Sequence, residues 1–292
     1  MAEPTKRNYL NNKDLLKEIN NSKLSYCWAL DRVRYSIYDA IVNDVSEITD
    51  ELIAEAKANR ANRIQSEGYA SAMETHDKKD YRNKPKQKDF AVEVDDIPLE
   101  DVVIRVMTFE HIPEDEGRKK TIRIEADSYE KVNFPPFKHY AYVNGELTEV
   151  VRSHWRGDLE TGEFCTEHGQ ITNKLGMMFL KLVERYSHRS NWRGYTYVDE
   201  MRGQALVQLA AIGLKFNEAK SNNPFAYYTA AVSNSFTGVL NQEKRNQNIR
   251  DDILIEQGHM PSYTRQLAHE EEIRKMREDA ERDSNSDDIE AY

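Results

Sequence analysis

Apolar residues recur at a helical period in the first part of the chain. The segment NNKDLLKEI places three of them on one side of a helix, which either Asn11 or Asn12 can cap through its side-chain oxygen. Near-helical spacing continues through four further residues, Ile37, Ile41, Val45 and Ile48. Since alanine is also frequent over residues 54–61, we predict a helical segment over residues 1–75. The stretch ETHDKKDYRNKPKQKD is almost without apolar residues, which indicates a polar linker over residues 76–89.

The pattern then changes to that of β-strands. The segments VVIRVMTF (102–109) and KTIRIEA (120–126) are rich in β-branched residues, as strands are. The segment HYAYVNGELTEVV contains the dipeptide Asn144-Gly145, which favours the left-handed backbone of a two-residue hairpin turn. The sequence therefore predicts a small β-rich insertion over residues 90–167.

Helical spacing returns over residues 168–258. The segment ITNKLGMMFLKLVERY predicts a helix with five residues on one buried face: Leu175, Met178, Phe179, Leu182 and Tyr186. A second amphipathic helix carries Val198, Met201, Ala205, Leu209 and Ile212. Its different, polar side aligns Glu200, Gln204 and Gln208. This polar row is typical of a solvated surface and is also available to a partner protein.

A third helix is predicted to begin at Asn223-Pro224, a helix-capping residue followed by proline at the first helical position. Its core-facing stripe comprises Phe225, Tyr228, Val232, Phe236 and Val239. The opposite face comprises Tyr227, Asn234, Asn241 and Arg245, and Lys244 and Arg250 extend its positive charge. An aromatic ring for stacking, amides for base edges and cations for phosphates are what a protein needs to hold an unstacked DNA strand, although many such faces are only solvated.

The remaining residues, 259–292, are rich in glutamate and arginine and predict a charged helix with a mobile acidic tail, DSNSDDIEAY. Together the patterns predict a mainly α protein, a helical bundle with a small β-rich insertion and a charged C-terminal helix or tail.

Composition narrows the function. The formal net charge of -10 argues against a protein that coats nucleic acid by charge alone. The two cysteines lie far apart and define no disulfide framework, and no apolar run is long enough to cross a membrane, so we expect a protein of the cytoplasm. The chain shows no phosphate-cradling glycine loop or nucleophile motif, which indicates a protein that is not an enzyme and needs no cofactor. A zinc site formed by His139, His154, Cys165 and His168 is a weaker alternative to ordinary surface or core histidines.

The order of these motifs resembles region 2 of bacterial sigma factors and, more closely, the late-transcription sigma factors of T-even-type bacteriophages. The segment that carries the resemblance is GYTYVDEMRGQALVQLAAIGLKFNEAKSNNPFAYYTAAVSNSFTGVLNQEKR. In that family an acidic, glutamine-bearing helix with a KF-type end is followed by an Asn-Pro-aromatic-Ala-Tyr helix that leads into basic residues. The start, NYLNNKDLLKEI, is similar as well, and the likeness covers about a third of the chain.

The resemblance implies a sigma factor that acts in the cytoplasm of a bacterial host. It implies that Asp199, Glu200, Gln204 and Gln208 bind the clamp helices of the largest subunit of the host's core RNA polymerase. It also implies that Tyr227 stacks on a flipped adenine of the −10 promoter element and that Asn234 contacts the upstream edge of that element. Lys244 and Arg245 would approach the DNA backbone. Tyr228, Asn241 and Arg250 complete the candidate DNA-binding residues.

Two departures qualify the resemblance. Housekeeping sigma factors have paired tryptophans where this chain has Ala230 and Ala231. The phage proteins also have small residues at these positions, and the absence of the tryptophans argues against strong unaided melting of DNA. The sequence shows no helix-turn-helix for the −35 element after Arg250. Late phage factors bind the sliding clamp through a short hydrophobic motif, to which DDIEAY is a poor match. Binding of the clamp and of a late co-activator is therefore expected from the family resemblance only. The alternatives are a polymerase-binding inhibitor and a phage structural or assembly protein, neither of which needs the Tyr227 face.

Overall fold

The computed structural model describes residues 10–76, 83–115, 117 and 125–290. The helices of these residues are α1 (Asn12–Leu24), α2 (Asp50–Thr75), α3 (Asn173–Ser187), α4 (Val198–Ile212), α5 (Pro224–Glu256) and α6 (Tyr263–Glu290). The strands are β1 (Cys27–Ala29), β2 (Ala40–Val42), β3 (Val103–Met107), β4 (Phe137–Val143), β5 (Glu146–Ser153), β6 (Trp155–Arg156) and β7 (Glu163–Phe164).

Five strands form one mixed sheet in the order β1-β5-β4-β3-β2, in which β2 and β3 run parallel and the other neighbours run antiparallel. Strands β6 and β7 form a separate two-stranded sheet. The prediction of a mainly α bundle with a small β insertion is therefore wrong, because the chain has a mixed α/β fold. Both edge strands of the large sheet come from the first 42 residues, so the sheet joins parts of the chain that the sequence patterns had separated.

The predicted helical segment over residues 1–75 is interrupted, and this error has a local cause. The spacing of Ile37, Ile41, Val45 and Ile48 predicted a helix, but residues 40–42 form β2 and residues 45–47 form a 3-10 turn whose N–H at Ser46 is capped by Asp44. A strand of three residues is too short to show an alternating pattern. Its apolar residues pack across the sheet, where tertiary contacts override helical spacing.

Several local predictions are confirmed. Asn11 caps α1, and Asn223 caps α5, which has Pro224 in its first turn. The segment VVIRVMTF contains β3. In the hairpin between β4 and β5, Asn144 has a φ of 54° and Gly145 a φ of 87°, the left-handed values that a two-residue turn requires.

Other predictions fall partly outside the described residues. Of the strand predicted over residues 120–126, residues 120–124 lie outside them, and Glu125 and Ala126 belong to a 3-10 turn. In the predicted linker, residues 77–82 lie outside the described part, and residues 87–90 form another 3-10 turn. Helix α6 accounts for the predicted charged helix and continues through residues 283–290 of the predicted tail, and residues 291–292 are not described.

Hydrophobic clusters cover both faces of the large sheet. One cluster joins α1, the sheet and α3 to α5, and it includes Ile19, Val151 and Phe236. The other lies between the opposite face and α2, where Ile104 of β3 packs with Ala56. Strand β3 is therefore buried on both faces, which explains its nearly unbroken apolar sequence. No helix in the described residues is both long and apolar enough to cross a membrane.

A buried ion pair crosses the larger cluster. Lys23 of α1 places its Nζ 2.6 Å from Glu218 Oε2, in the loop between α4 and α5. Arg105 of β3 lies 3.6 Å from the other carboxylate oxygen, an ion-pair contact that is too long for a hydrogen bond. Burial lowers the pKa of Lys23 to about 8, and Glu218 partly offsets this effect. Burial alone would raise the pKa of Glu218, but Lys23 and Arg105 together lower it, so both partners are charged at neutral pH.

Two histidines, of which His154 is buried and His111 is partly buried, should make the fold sensitive to acid. Burial lowers the pKa of both His111 and His154 to about 3, and each ring contacts the Ser153 hydroxyl. Because the unfolded chain takes up these protons near pH 6.5, the stability that the neutral rings contribute is complete above that pH. It is lost as the pH falls from 6.5 towards 3, by about 2 kcal/mol for each ring at pH 5.

We predict that His154→Asn flattens the pH dependence of the free energy of unfolding between pH 7 and pH 5 by about 2 kcal/mol. Asparagine is the suitable replacement because His154 has a φ of 53°, a left-handed value that asparagine tolerates. Urea denaturation at several pH values measures the effect. Parallel curves for the variant and the wild-type protein would contradict the prediction.

Candidate functional site

Helices α4 and α5 pack against each other through the residues that the sequence predicted for their buried faces. Met201, Ala205 and Leu209 of α4 are buried in the same cluster as Val232 and Phe236 of α5. The core stripe predicted for α5 is confirmed except at its first position. Phe225 is 38% exposed, because it lies in the first turn of α5 at the edge of the cluster.

A groove of about 780 Å³ runs between the outer sides of α4 and α5. One wall carries Glu200, Gln204 and Gln208 of α4, and the other carries Tyr227 and Asn234 of α5. The sequence predicted two separate surfaces, one on each helix. The structure places both sets of side chains in one groove, so a ligand bound there would contact both.

Small residues give the groove its depth. Ala230, Ala231 and Gly238 line it on the α5 side, and a Cβ added to Gly238 would meet no atom within 4 Å. Large side chains at the two alanine positions would project into the space between the walls. The groove can therefore accept a flat group beside Tyr227.

The Tyr227 ring packs against two other rings and is partly exposed. Its ring packs edge-on against Phe216, with 5.6 Å between centroids, and against Tyr228, with 5.3 Å. It remains 36% exposed. Partial burial raises the pKa of the Tyr227 hydroxyl, so the side chain is neutral at physiological pH. A neutral ring with one supported side is suited to stacking on a planar ligand.

Tyr228 has a different role from its neighbour. It is fully buried, its ring lies 4.9 Å from that of Phe179, and its hydroxyl donates a hydrogen bond of 2.5 Å to the Gly213 carbonyl. Burial raises its pKa strongly. The expectation that Tyr228 contacts DNA does not fit this burial, because the side chain is part of the core.

The other candidate residues lie outside the groove. Asp199 is exposed and pairs with Arg202 at 3.1 Å. The remaining four are exposed along the second half of α5: Asn241, Lys244, Arg245 and Arg250. At a rise of 1.5 Å per residue, Arg245 is about 27 Å from Tyr227, which corresponds to about 8 base pairs of duplex DNA. The cations are thus placed to contact a different part of a nucleic acid from the groove.

The histidines considered for zinc have other surroundings. His139 is buried, donates from Nδ1 to the Tyr35 carbonyl at 2.9 Å and accepts from Arg105 at 3.0 Å. His154 packs against Phe134, with 4.1 Å between ring centroids. Within the part of the chain that the structure describes, no group of three or more His, Cys, Asp or Glu side chains is arranged to hold a metal.

The residues that support the Tyr227 ring were not predicted from the sequence. Phe216 packs against the ring, and Asn12 accepts a hydrogen bond of 3.0 Å from the Phe225 N–H. The loop that precedes α5 is held by the contact between Lys23 and Glu218. The Lys23–Glu218 pair joins residues 195 positions apart, so no periodicity could have indicated it.

The chain matches no protein-family model, no curated protein and no solved structure.

Matched substitutions at the adjacent tyrosines test this assignment of core and surface. Tyr228→Phe should lower the free energy of unfolding by about 1–3 kcal/mol, because it leaves the buried Gly213 carbonyl without its donor. Tyr227→Phe should change it by less than about 0.5 kcal/mol, as is usual for a surface position. Chemical denaturation of both variants measures the difference. Equal losses would show that the two rings do not differ in burial as described.

Proposed function

We propose that this chain is a bacteriophage sigma factor, which binds the core RNA polymerase of its bacterial host and directs initiation at AT-rich −10-type late promoters. The observation that carries the proposal is the α4–α5 groove, because the segment that resembles sigma region 2 brings its acidic and amide row opposite Tyr227 and Asn234. The chain would act in the host cytoplasm as a promoter-recognition subunit, and RNA synthesis would belong to the polymerase.

In this proposal the groove holds bases of an unpaired strand. Tyr227 supplies the stacking ring, the Asn234 amide donates to and accepts from a base edge, and the two alanines leave room for a flipped base. Glu200 on the facing wall would repel phosphates, so the strand should lie with its bases inside the groove and its backbone outside it. Lys244, Arg245 and Arg250 would contact the backbone beyond the groove.

Polymerase binding would use the exposed side of α4. Glu200, Gln204 and Gln208 lie in a row on one wall of the groove, and Asp199 is exposed beside that row in the first turn of the helix. Because this row also forms one wall of the groove, polymerase would have to bind it from outside and leave the space beside Tyr227 open. Binding of the phage sliding clamp and of a late co-activator remains an expectation of the family resemblance alone.

Reconstituted transcription gives the direct test. Core polymerase of the host should initiate at AT-rich late-type promoters only when this protein is added. Inhibition of transcription by the protein would favour the polymerase-binding inhibitor, and absence of any effect would favour the structural or assembly protein.

Substitutions at Tyr227 test base stacking. Tyr227→Ala should lower the stability of the open complex by about 1–3 kcal/mol, whereas Tyr227→Phe should retain most of it, because stacking uses the ring and not the hydroxyl. Tyr263→Ala, at an exposed tyrosine of α6, is the control for the loss of a ring. The measurement is open-complex lifetime on a late-type promoter. Wild-type lifetimes for Tyr227→Ala would remove the DNA-binding assignment of the groove.

Charge reversal tests polymerase binding. The double variant Glu200→Lys with Gln204→Lys should weaken binding of core polymerase at least about tenfold, as expected when an interfacial charge meets its own sign. Glu184→Lys, at an exposed position on α3, makes the same glutamate-to-lysine reversal away from the groove and should bind normally. Fluorescence anisotropy with labelled protein gives the affinities. Unchanged affinity of the double variant would place the polymerase contact elsewhere.

A further inference from the structure

Helix α1 holds the loop between α4 and α5 through the side chain of Lys23. Lys23 is fully buried, and its ammonium donates 2.6 Å and 2.7 Å hydrogen bonds to the two carboxylate oxygens of Glu218 and a 2.7 Å bond to the Phe216 carbonyl. An ammonium has three N–H donors, so all of them are used on residues 216–218. The loop is thus fixed to α1 by its backbone and by a side chain.

The sheet holds the same carboxylate from a second direction. The Arg105 guanidinium lies 3.6 Å from Glu218 Oε1. It is itself fixed between the rings of Tyr38 and Phe137, at 3.9 Å and 3.8 Å, and by its bond to His139. The carboxylate of Glu218 is therefore set between two cations from rigid elements, which determines the position of the loop.

This loop leads directly to the candidate stacking residue. Phe216, whose carbonyl accepts from Lys23, is the ring on which Tyr227 packs. Helix α1 also reaches the start of α5, where Asn12 accepts from the Phe225 N–H. Helix α1 therefore contacts the chain both before Tyr227, at residues 216–218 of the loop, and at Phe225 in the first turn of α5.

A buried ion pair contributes little to net stability, because desolvation of both charges offsets their attraction. It does fix one geometry, since few arrangements satisfy both charges. An aromatic ring that is already held in its binding orientation loses less conformational entropy when a base stacks on it.

We propose that the buried Lys23–Glu218 pair positions the Tyr227 ring, by holding Phe216 and the α4–α5 loop in place. Lys23 and Glu218 are positioning residues, and neither touches the groove. The role in DNA binding rests on the proposed function, whereas the role in holding the loop does not.

The first test uses the full chain without any ligand. Glu218→Gln keeps the size of the side chain but removes its charge, and Glu67→Gln makes the same change in the exposed Lys17–Glu67 pair, which also involves α1. Hydrogen exchange should become at least about tenfold faster over residues 214–227 in Glu218→Gln and stay unchanged in Glu67→Gln. Exchange in α3 should match the wild type in both. Unchanged exchange over residues 214–227 would overturn the proposal.

A second variant guards against a failure to fold. Lys23→Met combined with Glu218→Gln removes the uncompensated lysine charge, while Arg105 keeps a polar neighbour. Arg105 is then the remaining buried cation of the group, and it keeps its hydrogen bonds to His139 and Asn20 and its contacts with the rings of Tyr38 and Phe137. The double variant should show the same faster exchange over residues 214–227, because methionine cannot donate to the Phe216 carbonyl. Wild-type protection in a folded double variant would also overturn the proposal.

The link to DNA is tested by a double-mutant cycle. The probe is a 12-nucleotide single strand of A and T with 2-aminopurine at its centre, bound by the full chain with core polymerase. Tyr227→Ala should weaken binding about 5- to 150-fold, and Glu218→Gln should weaken it several-fold. Adding Glu218→Gln to Tyr227→Ala should cause no further loss. Additive losses would show that the pair acts independently of Tyr227 and would overturn the proposal.

The two proposals can fail separately. Wild-type protein that does not bind the probe, or that binds with no dependence on Tyr227, would defeat the proposed function. Faster exchange over residues 214–227 in Glu218→Gln would still support the positioning role in that case.

Discussion

The contact between Lys23 and Glu218 links three parts of the chain that are far apart in sequence. Both side chains are almost completely removed from water, and Arg105 completes the arrangement from the sheet. A buried charge without its partner is strongly unfavourable, so α1, β3 and the α4–α5 loop must reach their places together. The helices that form the groove are therefore built into the same unit as the sheet, which also explains why one hydrophobic cluster extends through both.

The position of the groove follows from this shared core. Met201 and Leu209 face inwards on α4, as Val232 and Phe236 do on α5, and these buried residues fix the rotation of each helix. Glu200 and Gln204 must then face outwards beside Tyr227 and Asn234. A groove formed by packed helices keeps its walls at a fixed separation, which suits it to a flat ligand that enters between them.

The sequence allowed most local structure over residues 168–258 to be predicted, because each helix there is long enough to show its period and α5 begins with a capping residue, Asn223. Predictions failed where an element was short or a contact was distant. Strand β2 has three residues, and Cys27 of β1 pairs with Ser153 from another part of the chain, so neither edge strand has a local signal. The outward face of Tyr227 was predictable from spacing, but its support by Phe216 and the meeting of α4 and α5 side chains in one groove depend on tertiary packing.

The charge distribution bears on how such a protein could bind DNA. The net charge of -10 opposes approach to a polyanion at low salt, but at physiological ionic strength charges are screened beyond about 8 Å. Binding would then depend on short-range contacts, which here are a partly exposed ring in the groove and three cations on the far part of α5. These contacts are few, so the chain alone should bind DNA weakly and without much sequence selection. A larger partner that holds the DNA beside α5 would supply the missing affinity through effective concentration. An acidic subunit of this kind would engage a promoter only as part of a complex.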